Sequence, residues 1–236
     1  MSMKNDQSFV FRSLLLIRKA KFGIAGTFFL IFQMVLIYEY IFLSDLVYML
    51  WFCSHVSLFF AIGFFIRNID LIKTFICIGL IPQFIWIIDY LVRLIFGFFL
   101  IGATDYMFEG FSAFSYATSF IAHFFSTGIA LGLTYMYRPN KKILLYALMY
   151  LIIIFSLTLS LAPEEHNINL TQHMVISDGF TFPGYQAVLL AVAMLCIVLP
   201  SYYLQLYLYD IYGRSTHGKH RYGKPKYGKP KRRRMR

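Results

Sequence analysis

The sequence predicts an all-α protein, a polytopic membrane helix bundle of six transmembrane helices with both termini cytoplasmic. Three observations carry this expectation. Hydrophobic residues fill 59% of the 236 positions and charged residues only 14%, with a mean hydropathy of +0.63, a balance that suits a fold facing lipid. Six apolar stretches are each long enough to cross ~30 Å of hydrocarbon at ~1.5 Å rise per helical residue. The basic residues gather in every second connection, as they do on the cytoplasmic side of membrane proteins.

The first span covers residues 22–43 and follows Arg12, Arg18, Lys19 and Lys21. Its apolar run is too long for a signal-peptide core and lacks a small-residue cleavage site, so it is expected to stay as an anchor. Phe9, Phe11, Leu14 and Ile17, set among basic residues, suggest a short interfacial helix within a cytoplasmic segment 1–21. Arg67 and Lys73 join span two, 46–66, to span three, 71–101, which is long enough to tilt or to kink at Pro82. Arg138, Lys141 and Lys142 join span four, 111–136, to span five, 143–162. Span six, 186–209, completes a transmembrane domain of 22–209. The alternate connections, 44–45, 102–110 and 163–185, hold no Lys or Arg, and of the 22 basic residues only Arg93 departs from the pattern.

Residues 210–236 read as a disordered basic cytoplasmic tail. Tyr222-Gly223-Lys224-Pro225-Lys226 is repeated at once as Tyr227-Gly228-Lys229-Pro230-Lys231 and followed by Arg232, Arg233 and Arg234. Such a segment cannot bury a core. Its charge suits anionic lipid headgroups, at about 1 kcal/mol per basic residue near the surface, and this tethering accounts for the run without nucleic acid. The connection 163–185 is long enough for a lid, and within it Asn169-Leu170-Thr171 fits the glycosylation acceptor pattern. Cys53, Cys77 and Cys196 form no disulfide or zinc pattern.

Ionisable groups inside the spans are the functional candidates, because each is costly in a bilayer. Counting from the outer ends at ~1.5 Å per residue, His55, Asp89, Arg93 and His123 lie roughly 12–18 Å deep, in one slab. Span four carries Ser112, Ser115, Ser119, His123, Ser126 and Thr127 at helical spacing, a polar stripe along one face. Gly128 and Gly132 add a small-residue pair that would admit a neighbouring helix. Asp89 and Arg93 stand one turn apart, the order that forms a self-neutralising pair, unless Asp89 instead orients a histidine. Glu39, near the outer end of span one, is expected at the interface. Around His55 the chain reads Trp51-Phe52-Cys53-Ser54-His55, a thiol and a hydroxyl beside an imidazole. Neighbours point about 100° apart on a helix, so Ser54 needs a base from another span, and His123 lies at the matching depth.

At these residues the chain resembles the transmembrane protein 164 family and its bacterial YwaF-like relatives. Ser54-His55-Val56 stands where that family has a Cys-His dipeptide, and Phe120-Ile121-Ala122-His123 stands at its second histidine. The likeness continues through Tyr137-Arg138-Pro139, Asn167-Ile168-Asn169-Leu170, Ile176-Ser177-Asp178-Gly179-Phe180 and Pro183-Gly184-Tyr185. It spans residues 51–208 in sparse motifs. The resemblance implies a membrane-embedded lipid acyltransferase, and a more distant likeness to the androgen-induced lipid hydrolases implies acyl-ester chemistry. This chain departs from the family where it matters, with serine at the expected cysteine and Cys53 displaced by one residue.

Three function classes follow. The first is acyl-ester chemistry on a membrane lipid, with Ser54 or Cys53 as nucleophile, His123 as general base and Asp89 as orienter. Arg93 would meet a phosphate headgroup or carboxylate, and Ser119 and Thr127 would line the substrate path. No oxyanion-hole donor is legible. The second is a non-enzymatic lipid or small-molecule binder or transporter using the same polar cavity, with Pro82 and Pro200 as faint signs of broken helices. The third is ligation of haem or, with Asp89, a metal by the two histidines, although the pattern calls for no cofactor.

Overall fold

The structure is a computed structural model, described over residues 3–43, 45–102, 104–108, 112–163, 168–172 and 182–213, and by backbone alone at 3–19, 105 and 106. The basic tail from 214 onward, most of the expected lid and the side chains of the expected interfacial helix lie outside the described residues. The elements are α1 (Met3–Phe42), α2 (Phe52–Phe65), α3 (Ile69–Phe96), α4 (Ala113–Phe124), α5 (Ser126–Thr134), α6 (Lys142–Leu161), α7 (Tyr185–Val192) and α8 (Leu199–Leu208). Among the described residues there is no strand.

Five stretches are long and apolar enough to cross a membrane: Ala20–Phe42, Ile69–Phe96, Ala113–Thr134, Lys142–Leu161 and Tyr185–Gly213. The second expected span is different. Asp45 caps a 3-10 turn over Leu46–Leu50 by accepting the Val47 N–H at 3.0 Å, and Trp51, at ψ 128°, leaves helical geometry. Only the 14 residues of α2 remain helical there, ~21 Å against ~30 Å of hydrocarbon. α1 runs unbroken for 40 residues, so the segment expected as a short interfacial helix continues into span one.

The other spans bend where backbone donors are lost or diverted. Span four divides at Phe125 into α4 and α5, where the Ser126 hydroxyl bonds back to the Ala122 carbonyl, a competition that bends helices. Pro200 lacks an N–H, and before it residues Ala193–Val198 widen into a π-helical turn in which Leu199 N–H bonds Met194 O. α3 ends at Gly97, whose φ of 79° is the left-handed closure that glycine adopts without a Cβ penalty.

α3 is the central element, packed against α2, α4, α5, α6 and α8. Lipid tails are as apolar as the side chains, so close fit holds such a bundle more than water exclusion does. The fit is aromatic: Phe29 stacks on Phe64 at 5.7 Å and 2°, and Phe59 on Phe75 at 4.0 Å and 10°. Ile24, Ile95 and Leu195 point outward, 63–70% exposed, as a lipid-facing surface permits.

Close helix approach is mediated by glycines other than the expected pair. A Cβ on Gly63 would lie 2.6 Å from Ile72 Cγ1, and one on Gly79 2.9 Å from Thr127 Oγ1. Gly128 and Gly132 face open space. Lys73, expected among the loop charges, is fully buried on α3 and donates to Gln205 Oε1 of α8 at 3.4 Å. Gln205 Nε2 in turn donates to the Lys73 carbonyl at 3.2 Å and lies 3.0 Å from Cys77 Sγ. The first turns of α3 carry it inward, so its position in sequence misleads.

Candidate functional site

The polar residues singled out from the sequence divide among three helix contacts. Ser54, only 3% exposed, faces α1: its hydroxyl is 2.8 Å from Tyr40 Oη and donates to the Tyr48 carbonyl at 3.2 Å. His55 faces α6, with Nδ1 2.7 Å from Tyr150 Oη. His123 faces α3, its ring stacked on Trp86 at 4.3 Å and 12°. The two histidines therefore take separate partners. Tyr40 and Ile121 pack on a small cluster of Phe32, Leu36 and Ala122, which joins α1 to the turn of α4 carrying His123.

His123 is held firmly. Trp86 stacks on its other side with Tyr90 at 5.4 Å, and Nδ1 lies 2.8 Å from the Ser119 carbonyl. A carbonyl only accepts, so Nδ1 carries the hydrogen and Nε2 keeps the lone pair in the neutral ring. That is the arrangement of an oriented base. Ser119 thus acts through its backbone. Thr127 is buried and faces Gly79, its hydroxyl without a hydrogen-bond partner among the described residues, while Gln83 of α3 donates to Ser126 Oγ at 3.1 Å.

Asp89 orients neither a histidine nor Arg93. Fully buried, its carboxylate accepts Ile101 N–H at 2.8 Å, Thr104 N–H at 2.9 Å and the Thr104 hydroxyl at 2.8 Å, closing the loop after α3 back onto that helix. Backbone N–H groups folded over a helix end supply a carboxylate as well as a cation does. Arg93 donates to the Gly97 carbonyl and lies over Phe99 at 4.7 Å and Phe108 at 5.4 Å, a cation at a helix C-terminus. Glu39 is buried, 3% exposed, and accepts the Thr118 hydroxyl of α4. Ser112 caps α4 by accepting Ser115 N–H at 3.1 Å.

Asn169, read from the sequence only within a glycosylation pattern and a family motif, ties distant segments together. Its side-chain oxygen accepts Phe52 N–H at 3.0 Å, 117 residues away, and its nitrogen donates to the Leu50 carbonyl at 2.8 Å and Thr158 Oγ1 at 3.0 Å. Its backbone, at φ 56°, is left-handed, a conformation asparagine tolerates. At 4% exposed and bonded three times, it is withdrawn from the glycosylation pattern it belongs to. Tyr185 holds the same segment by donating to the Leu170 carbonyl at 2.7 Å. Tyr150 was also missed; its signal is a hydroxyl midway along an apolar span, where it must find a partner.

Among the described residues no three His, Cys, Asp or Glu side chains group as metal ligands. No family model, curated protein or solved structure matches the chain.

Proposed function

We propose that this protein is a multi-pass membrane enzyme of lipid acyl chemistry, an acyltransferase or acyl-ester hydrolase whose reacting groups lie at the N-terminal end of α2. One observation carries the reading. The Asn169 side chain bonds the turn and first residue of α2, and Tyr185 holds Leu170, so the Cys53-Ser54-His55 run meets two distant motifs on which the family resemblance rests. In this reading Ser54 or Cys53 is the nucleophile and His123, with Nε2 free of Ser119, is the base. Arg93, Ser119 and Thr127 border the path of the lipid. The chain crosses the membrane six times, with the helix 52–65 as the short crossing, both termini cytoplasmic and the tail tethered to anionic headgroups. A cysteine placed at position 172 is then labelled only from the outside; labelling only from the cytoplasmic side overturns the orientation.

The reaction is tested with purified protein in nanodiscs, given a phospholipid with a labelled acyl chain and an unlabelled lysophospholipid acceptor. Mass spectrometry scores transfer to the acceptor and release to water. Turnover is expected in the wild type, lost in His123→Ala and lost in one of Ser54→Ala and Cys53→Ala. Wild-type turnover no greater than that of empty nanodiscs, or unchanged turnover in His123→Ala, overturns the reading. A second reading, lipid binding without chemistry, is favoured by the Ser54 hydroxyl bonding Tyr40 and the Tyr48 carbonyl rather than a histidine. Its mark is lipid that copurifies in fixed ratio and is never converted.

A further inference from the structure

The contact between α2 and α6 holds a polar pair in an otherwise apolar setting. Tyr150 of α6 is boxed by Phe75 at 4.8 Å and 72° and by Phe59 at 5.7 Å and 81°, two rings that are themselves stacked. This box fixes the phenol ring and delivers its hydroxyl to His55 Nδ1 at 2.7 Å. The two rings meet edge to face, 6.2 Å apart at 83°.

The direction of that bond follows from what surrounds it. Among the described residues the Tyr150 oxygen has no other hydrogen-bond partner, so a phenol that merely accepted from Nδ1–H would leave its own O–H stranded among phenylalanines. A neutral ring that accepts through Nδ1 carries its hydrogen on Nε2. The phenol thus selects one tautomer.

We propose that Tyr150 is the positioning residue of His55: its hydroxyl holds the ring in the Nε2-protonated tautomer and aims the basic Nδ1 toward α6, away from Ser54. Cys53, His55 and Tyr150 are all partly exposed, whereas Ser54 is closed in against α1. The catalytic meaning of this arrangement rests on the acyl-ester reading, but its geometry does not.

The test reads the imidazole directly. Protein labelled with 15N-histidine, with His55→Gln to assign the signal, is expected to show His55 as the Nε2–H tautomer with Nδ1 in a hydrogen bond. A wild-type Nδ1–H tautomer overturns the proposal without any Tyr150 variant. Tyr150→Phe keeps the aromatic box and removes only the hydroxyl, so Nδ1 should shift toward the value of a free ring nitrogen. Its carbethoxylation by diethyl pyrocarbonate, followed by peptide mass spectrometry, should run roughly five-fold faster, the factor expected for one lost hydrogen bond. An unchanged spectrum and rate overturn the proposal.

In the acyl-transfer assay Tyr150→Phe should lower kcat and leave KM unchanged. Tyr146→Phe, one turn earlier at an exposed tyrosine, should change neither. Absence of wild-type turnover removes the acyl reading while the tautomer still decides this proposal. Turnover with an unchanged His55 signal in Tyr150→Phe does the reverse.

Discussion

Replacing Asn169 with alanine removes three hydrogen bonds at once, to Phe52 N–H, the Leu50 carbonyl and Thr158 Oγ1. The losses are unequal. Thr158 keeps its own bond to the Ile154 carbonyl at 2.8 Å, and the Leu50 carbonyl sits at a chain turn, so each of these contributes about 0.5–1 kcal/mol. Phe52 N–H stands at the start of α2 with no other side-chain cap, and stranding it costs about 1–2 kcal/mol. Alanine at φ 56° adds about 1 kcal/mol of backbone strain. The expected destabilisation is about 3–5 kcal/mol. For a chain of this size that corresponds to a fall in midpoint of roughly 6–20 °C. Asn169→Gly relieves the strain alone, and should recover about 1 kcal/mol of the loss. Thermal unfolding in detergent, followed through the reactivity of buried Cys77, measures both variants. A loss below about 1 kcal/mol in Asn169→Ala, or no difference between alanine and glycine, refutes the role assigned to this side chain.

Gly63→Ala should cost about 1–3 kcal/mol by driving a methyl into Ile72, while Gly128→Ala should stay within about 0.5 kcal/mol; equal effects would contradict the glycine contacts described. Asp89→Ala should free residues 97–104 and destabilise by about 2–4 kcal/mol, seen as faster amide exchange at Ile101 and Thr104, and unchanged exchange there would contradict the loop closure. Gln205→Leu should cost about 2–3 kcal/mol because it strands the buried Lys73 amine. The double variant Lys73→Met with Gln205→Leu should recover most of that stability, and a double variant as weak as the single would show that the contact is not what holds α8.

Four of the five membrane-length helices correspond to spans drawn from hydropathy to within a few residues, because apolar length is a local property of the chain. The caps were not read from the sequence, although Ser112 and Asn68 are cap-forming residue types and each accepts the third N–H beyond it. The helix within the second span is shorter than its apolar run because hydropathy cannot register that the chain leaves α-helical geometry before Trp51. Depth along a span can be counted from the sequence. Depth gives no azimuth. Whether His55 meets His123 or Tyr150 depends on the rotation of α2 against α6, which Phe59, Phe75 and Asn169 fix from distant parts of the chain.

What the sequence by itself determined is therefore the apolar periodicity, the lengths of most helices and the presence of costly ionisable groups within them. What only the tertiary structure decided is their partners. Asp89 finds two backbone N–H groups instead of Arg93, Glu39 finds Thr118 of α4, and Lys73 finds Gln205 across 132 residues. The physical reason is that a polar group in an apolar interior must be satisfied, while the identity of its partner depends on which helices the close fit of Gly63, Gly79 and the stacked phenylalanines brings together.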